Sequence, residues 1–187
     1  MRLFKQSLVK RSLRLTVSAL LLSTAIQASA APLAVGDKAP DFEVTTLTGN
    51  TFKLSDYEGH KPVYLKFWAT WCSYCKVEMP HLQSIYKQYG DDIEVLAVNV
   101  GINDSVANIE QFFNQGGFNL PVAIDQQGDL VSDYGVVGTP HHVLIDKNGQ
   151  IVYRTFLASD TLDNTIKGWV DDKLEKEKRL TRRPWRR

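Results

Sequence analysis

Two apolar runs rich in β-forming residues constrain this chain more than anything else in it. "KPVYLKFWA" (residues 61–69) and "IEVLAVNV" (residues 93–100) bracket a stretch from Ser73 to Tyr89 with helical spacing. The runs read as buried strands, and the stretch between them as a helix with Val77, Leu82, Ile85 and Tyr86 as its inward positions. Pro80 lies inside that helix, removes the hydrogen bond to the carbonyl of Lys76, and predicts a kink. Upstream, "DFEVTTLTGNTFKLSDY" reads as two short strands around Thr48-Gly49-Asn50. Downstream, Ser105 is a possible N-cap for a helix reaching Gln115. "HHVLID" and "QIVYRTFL" form a hairpin about Lys147-Asn148-Gly149, and Thr161 to Lys178 is an amphipathic closing helix. Strand, helix, strand, helix, hairpin and helix predict an α/β fold: a mixed central sheet with helices on both faces and an added N-terminal β-hairpin.

The first thirty residues bear on compartment. Arg2, Lys5, Lys10, Arg11 and Arg14 form a basic head without an acid, and "VSALLLSTAIQA" (residues 17–28) is apolar. Ala28-Ser29-Ala30 then fits a small-residue cleavage site, the order of a secretory signal peptide. A membrane span needs roughly 20 apolar residues. An uncleaved anchor is the alternative. Lys10-Arg11 is not a twin-arginine pair, and the cleavage site has no cysteine for a lipid. Residues 1–30 are thus expected to be a signal peptide. The mature chain would begin at Ala31 in an oxidising, periplasmic setting where disulfides persist. Residues 31–172 then form one domain with nine basic and nineteen acidic residues. Residues 173–187, "KLEKEKRLTRRPWRR", form a basic tail with eight basic and two acidic residues.

The only two cysteines of the 187 residues, Cys72 and Cys75, stand where the first long helix begins. As a staple the pair does little, since a loop of about four residues contributes roughly 2 kcal/mol in the chain-entropy model. As a metal site it supplies two ligands where structural zinc takes four. His60, His81, His141 and His142 are the histidines that such a site would draw on. As a redox pair the arrangement is physically apt. A sulfur at a helix N-terminus sits against unpaired N–H groups and the positive end of the dipole, which favours the thiolate. A thiol pKa of 8.5 leaves about 3% thiolate at pH 7, and 6.5 leaves about 75%. Cys75, one turn on, can then attack a mixed disulfide on Cys72. The redox pair is the favoured reading, with metal site and staple as its alternatives.

"FWATWCSYC", Gly138-Thr139-Pro140 and "LIDKNGQIV" together resemble the exported thioredoxin-like proteins of the TlpA/ResA type, over roughly Leu33 to Lys173. The resemblance implies a thioredoxin-like fold, with Cys72 as nucleophile and Cys75 as resolving thiol of a redox-active disulfide. It implies a cis Pro140 beside that disulfide, a Thr139 backbone that pairs with an extended substrate segment, and Trp71 flanking the groove. Glu78 matches a glutamate near the thiols of ResA-type members. The position two residues before Trp68, a buried aspartate in thioredoxins proper, is Lys66 here. A lysine facing the site would favour a thiolate and could pair with Glu78. Ser73-Tyr74 between the cysteines departs from the proline or glutamate frequent in these relatives.

The reading that follows is an exported thiol–disulfide oxidoreductase, more a reductase than an oxidant, acting on protein disulfides and thiols. Apocytochrome c thiols are a family-level candidate substrate. No cofactor is needed, because the two sulfurs carry the electrons, and a membrane-bound redox partner would reset them. The rival from another class is a copper carrier of thioredoxin fold that uses both thiolates, which suit Cu(I). A peroxiredoxin, suggested by "GDKAPDFEV", would need a threonine three residues before the reactive cysteine, where Ala69 stands. His141 and His142 begin a strand and so point to opposite faces, as packed or solvent-facing side chains unless one borders the site. The tail is expected to favour disorder. It reads as a solvated segment, with an anionic membrane surface as its candidate partner and Trp185 at the interface. Nucleic acid is a poor partner for an exported chain.

Overall fold

The computed structural model of the chain describes residues 33–181. The signal-peptide reading of residues 1–30 lies outside them, as do Pro184 and Trp185. The elements are β1 (Glu43–Thr45), β2 (Thr51–Lys53), a 3-10 turn (Leu54–Tyr57), β3 (Val63–Trp68), α1 (Ser73–Tyr89), β4 (Glu94–Asn99), α2 (Val106–Gly116), β5 (Val122–Ile124), α3 (Asp129–Asp133), β6 (His141–Ile145), β7 (Ile151–Thr155) and α4 (Asp160–Thr181).

Every residue of β3 and of β6 is buried, because both strands are covered on two faces. The sheet runs β5-β4-β3-β6-β7. Its β3–β4 and β4–β5 pairs are parallel, and its β3–β6 and β6–β7 pairs antiparallel. β1 and β2 form the separate N-terminal hairpin. This is the thioredoxin-like mixed sheet that the sequence predicts. β5 and α3 were not expected: three and five residues are too short for a periodic signal. The register pairs Lys66 with His142 and Phe67 with His141. Cross-strand partners share a face, so Tyr64, Lys66 and His142 lie together on one side, and Phe67 and His141 on the other.

In α1 the buried stripe is Cys75, Met79, Leu82 and Ile85, and Tyr86 packs against it partly buried. Val77 is 77% exposed, contrary to the expectation. At 100° per residue it stands about 200° round the helix from Cys75, so a core stripe that begins at Cys75 excludes it. Pro80 sits within an unbroken helical run with its ring exposed. Ser105 caps α2 by accepting from the Asn108 N–H at 3.2 Å. Trp68 packs against Phe112 and Phe113 of that helix, with ring centroids 5.5 and 5.7 Å away.

The closing helix departs from its expected end. It runs through Thr181, three residues beyond the expected Lys178, so the basic segment is helical as far as the described residues go. The reason lies in the mixed signs of its charges. Lys178 pairs with Glu175 at 3.0 Å one turn back, and Lys173 pairs with Asp92 at 2.6 Å. The first pair, three residues apart on one face, supports the helix from within, and the second ties the helix to the turn before β4. Among the described residues no helix is long and apolar enough to cross a membrane.

Leu65, wholly buried in the central strand, is the test of this packing. Leu65→Ala is expected to lower the free energy of unfolding by about 2–5 kcal/mol, as for other buried leucines, measured by urea titration at neutral pH.

Candidate active site

Strand β3 ends at Trp68, and the chain reaches Cys72 in four residues. Cys72 is the N-cap of α1, as the sequence predicts, and its Sγ accepts the N–H of Cys75 at 3.2 Å. A disulfide joins Cys72 to Cys75. Cys72 keeps 7% of its surface exposed and Cys75 none.

The loop before Cys72 is fastened from the side. Asp104 accepts the Thr70 N–H at 2.7 Å and the Thr70 hydroxyl at 2.8 Å, and Asn99 Nδ2 donates to it at 2.7 Å. Partial burial would raise the Asp104 pKa, but these donors and the Ser105 N–H hold it below the usual carboxylate value. Trp71 donates its indole N–H to the Ile102 carbonyl at 2.7 Å, which leaves its ring half exposed beside the cysteines. Gly101, between these anchors, has φ +71°, and a Cβ there would stand 2.4 Å from the Asp125 carbonyl oxygen. The sequence reading did not find Asp104 or Asn99, whose role depends on the β4–α2 loop folding back.

The Thr139–Pro140 bond is cis. β6 starts at His141 opposite Phe67, so Pro140 stands at the sheet end where β3 delivers the cysteine loop. The expected neighbours thus share one end of the fold.

Beneath α1 lies a polar cluster, buried but for part of Glu78. Glu78, one turn after Cys75, accepts Lys66 Nζ at 3.0 Å and His142 Nε2 at 3.1 Å on Oε2, and the Ala158 N–H at 2.8 Å on Oε1. The expected Lys66–Glu78 pair is therefore formed. Burial alone would raise the Glu78 pKa. The His142, Ala158 and Lys66 donors outweigh it and bring the carboxyl down to about 2. Burial lowers the Lys66 ammonium, and Glu78 opposes that. An ionised carboxylate at Nε2 requires the His142 proton there. Nδ1 then accepts the Tyr64 hydroxyl at 2.7 Å. Burial likewise pushes His142 below its ordinary value, and burial, Glu78 and Asp163 push Tyr64 up. Tyr64 and Lys66 share a face by strand alternation. Their meeting with His142 is a matter of register, which the sequence did not display.

His141 lies on the opposite face. Its Nε2 accepts from Arg154 Nη2 at 3.2 Å, and Phe156 packs edge-on at 5.2 Å between ring centroids. Arg154 also donates to the carbonyls of Tyr134 and Leu33. Among the described residues no group of three His, Cys, Asp or Glu is arranged to hold a metal ion.

Residues 35–154 match the model of the AhpC/TSA family. The chain is 43% identical over 120 residues to the thiol-disulfide oxidoreductase ResA of Geobacillus thermodenitrificans, spanning 64% of this chain and 67% of that protein. The chain belongs to the ResA/TlpA-type thiol–disulfide oxidoreductases. The solved thioredoxin domain of a thiol-disulfide oxidoreductase from Bacteroides vulgatus is 30% identical, with a TM-score of 0.65 over 74% of this chain and 99% of that one. The exposed lipoprotein thioredoxin of Streptococcus pneumoniae is 39% identical, with a TM-score of 0.59 over 69% of this chain and 99% of that one. This ResA-type member is a thiol–disulfide oxidoreductase with a Cys72–Cys75 disulfide.

His141 makes the site sensitive to acid. Burial, Arg154 and His142 hold its pKa down to about 4 from an ordinary 6.5. The unfolded chain gains a proton as pH falls through its ordinary value, and the folded chain does not until lower pH. The stability is therefore complete above that value and lost through the window below it. His142 acts in the same direction. Urea midpoints are expected to fall from pH 7 to pH 5, and to fall less in His141→Phe.

Proposed function

We propose that this chain is an exported reductase of protein disulfides, with Cys72 as nucleophile and Cys75 as resolving thiol. The Cys72 thiolate attacks a substrate disulfide. One substrate sulfur leaves as a thiolate and takes up a proton, and the other stays bonded to Cys72. Cys75 then loses its proton and attacks Cys72 Sγ. The Cys72–substrate bond breaks, the Cys72–Cys75 disulfide forms, and the second substrate sulfur leaves reduced. The observation that carries this reading is the asymmetry of the pair. Cys72 caps the helix with 7% of its surface exposed, and Cys75 lies wholly buried one turn behind.

Trp71, Thr139 and Pro140 are the proposed substrate contacts, with the Thr139 backbone pairing to an extended segment. Half or more of Trp71, Tyr74, Ile102, Val137 and Phe156 is exposed, an apolar set that supports a polypeptide partner. Glu78 and Lys66 are proposed to tune the thiols, which their contact at 3.0 Å one turn from Cys75 supports. The reductase direction, apocytochrome c thiols as substrate, and a membrane-bound redox partner come from the likeness to TlpA/ResA-type proteins. So does the periplasmic setting, which the signal-like segment 1–30 also supports.

Two experiments test the chemistry. Cys72→Ser is expected to abolish turnover of protein disulfides, and Cys75→Ser to trap a mixed disulfide with substrate; normal turnover by the Cys75 variant rules out the two-thiol mechanism. A reduction potential near the about −270 mV of thioredoxin supports a reductase, and one near the about −120 mV of DsbA an oxidant.

The basic segment is proposed to hold the enzyme at an anionic membrane surface. Each basic residue near such a surface contributes about 1 kcal/mol. Binding of mature protein to anionic vesicles is expected to need residues 179–187 and to weaken with salt; co-sedimentation that is equal with and without them sinks the idea.

A further inference from the structure

Cys75 must react as a thiolate in an unfavourable place. It is wholly buried, and burial keeps a thiol protonated. Glu78, one helical turn on, adds a negative charge that opposes ionisation further. Lys66, buried and paired to Glu78 at 3.0 Å, is the cation of this cluster that could compensate. Its ammonium has three donors, and among the described residues it uses one, on Glu78 Oε2. How much of the Lys66 charge remains for the sulfur depends on how far other donors satisfy the carboxylate. His142 meets the same oxygen at 3.1 Å, and the Ala158 N–H meets the other. Tyr64 fixes the direction of the His142 donor from behind.

We propose that His142 is a positioning residue for the second exchange step. By donating Nε2–H to Glu78 it relieves Lys66 of part of that carboxylate, so the ammonium charge supports the Cys75 thiolate. Tyr64 is its orienting partner. The inference rests on the reading of Cys75 as resolving thiol. In this step Cys75 gives up a proton and the departing substrate sulfur takes one up; the Cys72–substrate bond is exchanged for Cys72–Cys75. The charged and titratable groups around His142 and Tyr64 are Lys66 from β3, Glu78 and His81 from α1, the neighbouring His141 from β6, and Asp163 from α4. His81 and Asp163 pair with each other at 2.9 Å.

The test separates the two steps with dithiobis(nitrobenzoate) and the reduced full chain. Attack by Cys72 releases one nitrothiobenzoate, and closure by Cys75 releases a second. In His142→Phe the second release is expected to slow about tenfold at neutral pH, the effect of raising a thiol pKa by one unit, with the first release unchanged. Its pH profile should move to higher pH by the same amount. His142→Gln, which keeps an N–H donor, is expected to restore the second release. Tyr64→Phe, which keeps the ring, should slow it in the same sense and serves even where His142→Phe fails to fold. Equal second-step rates and profiles in wild type and Tyr64→Phe, or in wild type and His142→Phe, overturn the proposal, as does a glutamine variant no faster than phenylalanine. Release of a single equivalent by the wild type overturns the two-thiol reading instead.

Discussion

Glu78 carries one carboxylate that four parts of the chain share. Its own helix α1 holds it one turn after Cys75. β3 sends Lys66 to it, β6 sends His142, and the β7–α4 connection sends the Ala158 N–H. Placing a lysine and a glutamate in this interior is costly unless each is paired and hydrogen-bonded. The cluster meets that condition: the carboxylate has three donors, and its neighbour His142 is satisfied on both ring nitrogens. Removing one member leaves another without its partner in a dry place, so the cluster ties β6 and α1 to β3.

The same end of the sheet organises the rest of the site. β3 and β6 are antiparallel, so the end of one and the start of the other coincide, bringing the cysteine loop and the cis Thr139–Pro140 bond together. Asp104 and Asn99 hold the loop at Thr70, and the Ile102 carbonyl holds Trp71. The helix N-terminus does the electrostatic work at Cys72, where N–H groups and the dipole face the sulfur. Cys75, wholly buried one turn on, lacks that help, and Lys66 is the proposed source of its support. Two cysteines three residues apart therefore sit in different surroundings: one against backbone N–H groups, the other one turn from a carboxylate met by side chains from β3 and β6 and by a backbone N–H from the β7–α4 connection.

Much of this was legible in the residues because its causes are local. Continuous apolar runs fall on β3 and β4, Ser105 caps α2, and the helix begins next to Cys72. The Lys66–Glu78 pair could be anticipated, because a strand position two residues before Trp68 and a helix position three after Cys75 both lead to the cysteines. Expectations failed where a competing local pattern was read too literally. Val77 looked like part of an apolar stripe, but the stripe is phased on Cys75. The basic tail was expected to lose helix after Lys178, but α4 continues to Thr181, with Lys178 paired to Glu175.

The sequence by itself determined the order of elements, the cysteine pair at a helix start and the class of chemistry, since each depends on residues close together in the chain. The tertiary structure alone decided the short strand β5, the Asp104 anchor, the Arg154 partner of His141, and the tie from Tyr64 through His142 to Glu78. These depend on cross-strand register and on a loop returning over tens of residues. Such contacts arise only when the buried faces of β3, β6 and α1 close on one another, because a hydrogen bond between distant side chains leaves no period in the sequence that encodes it.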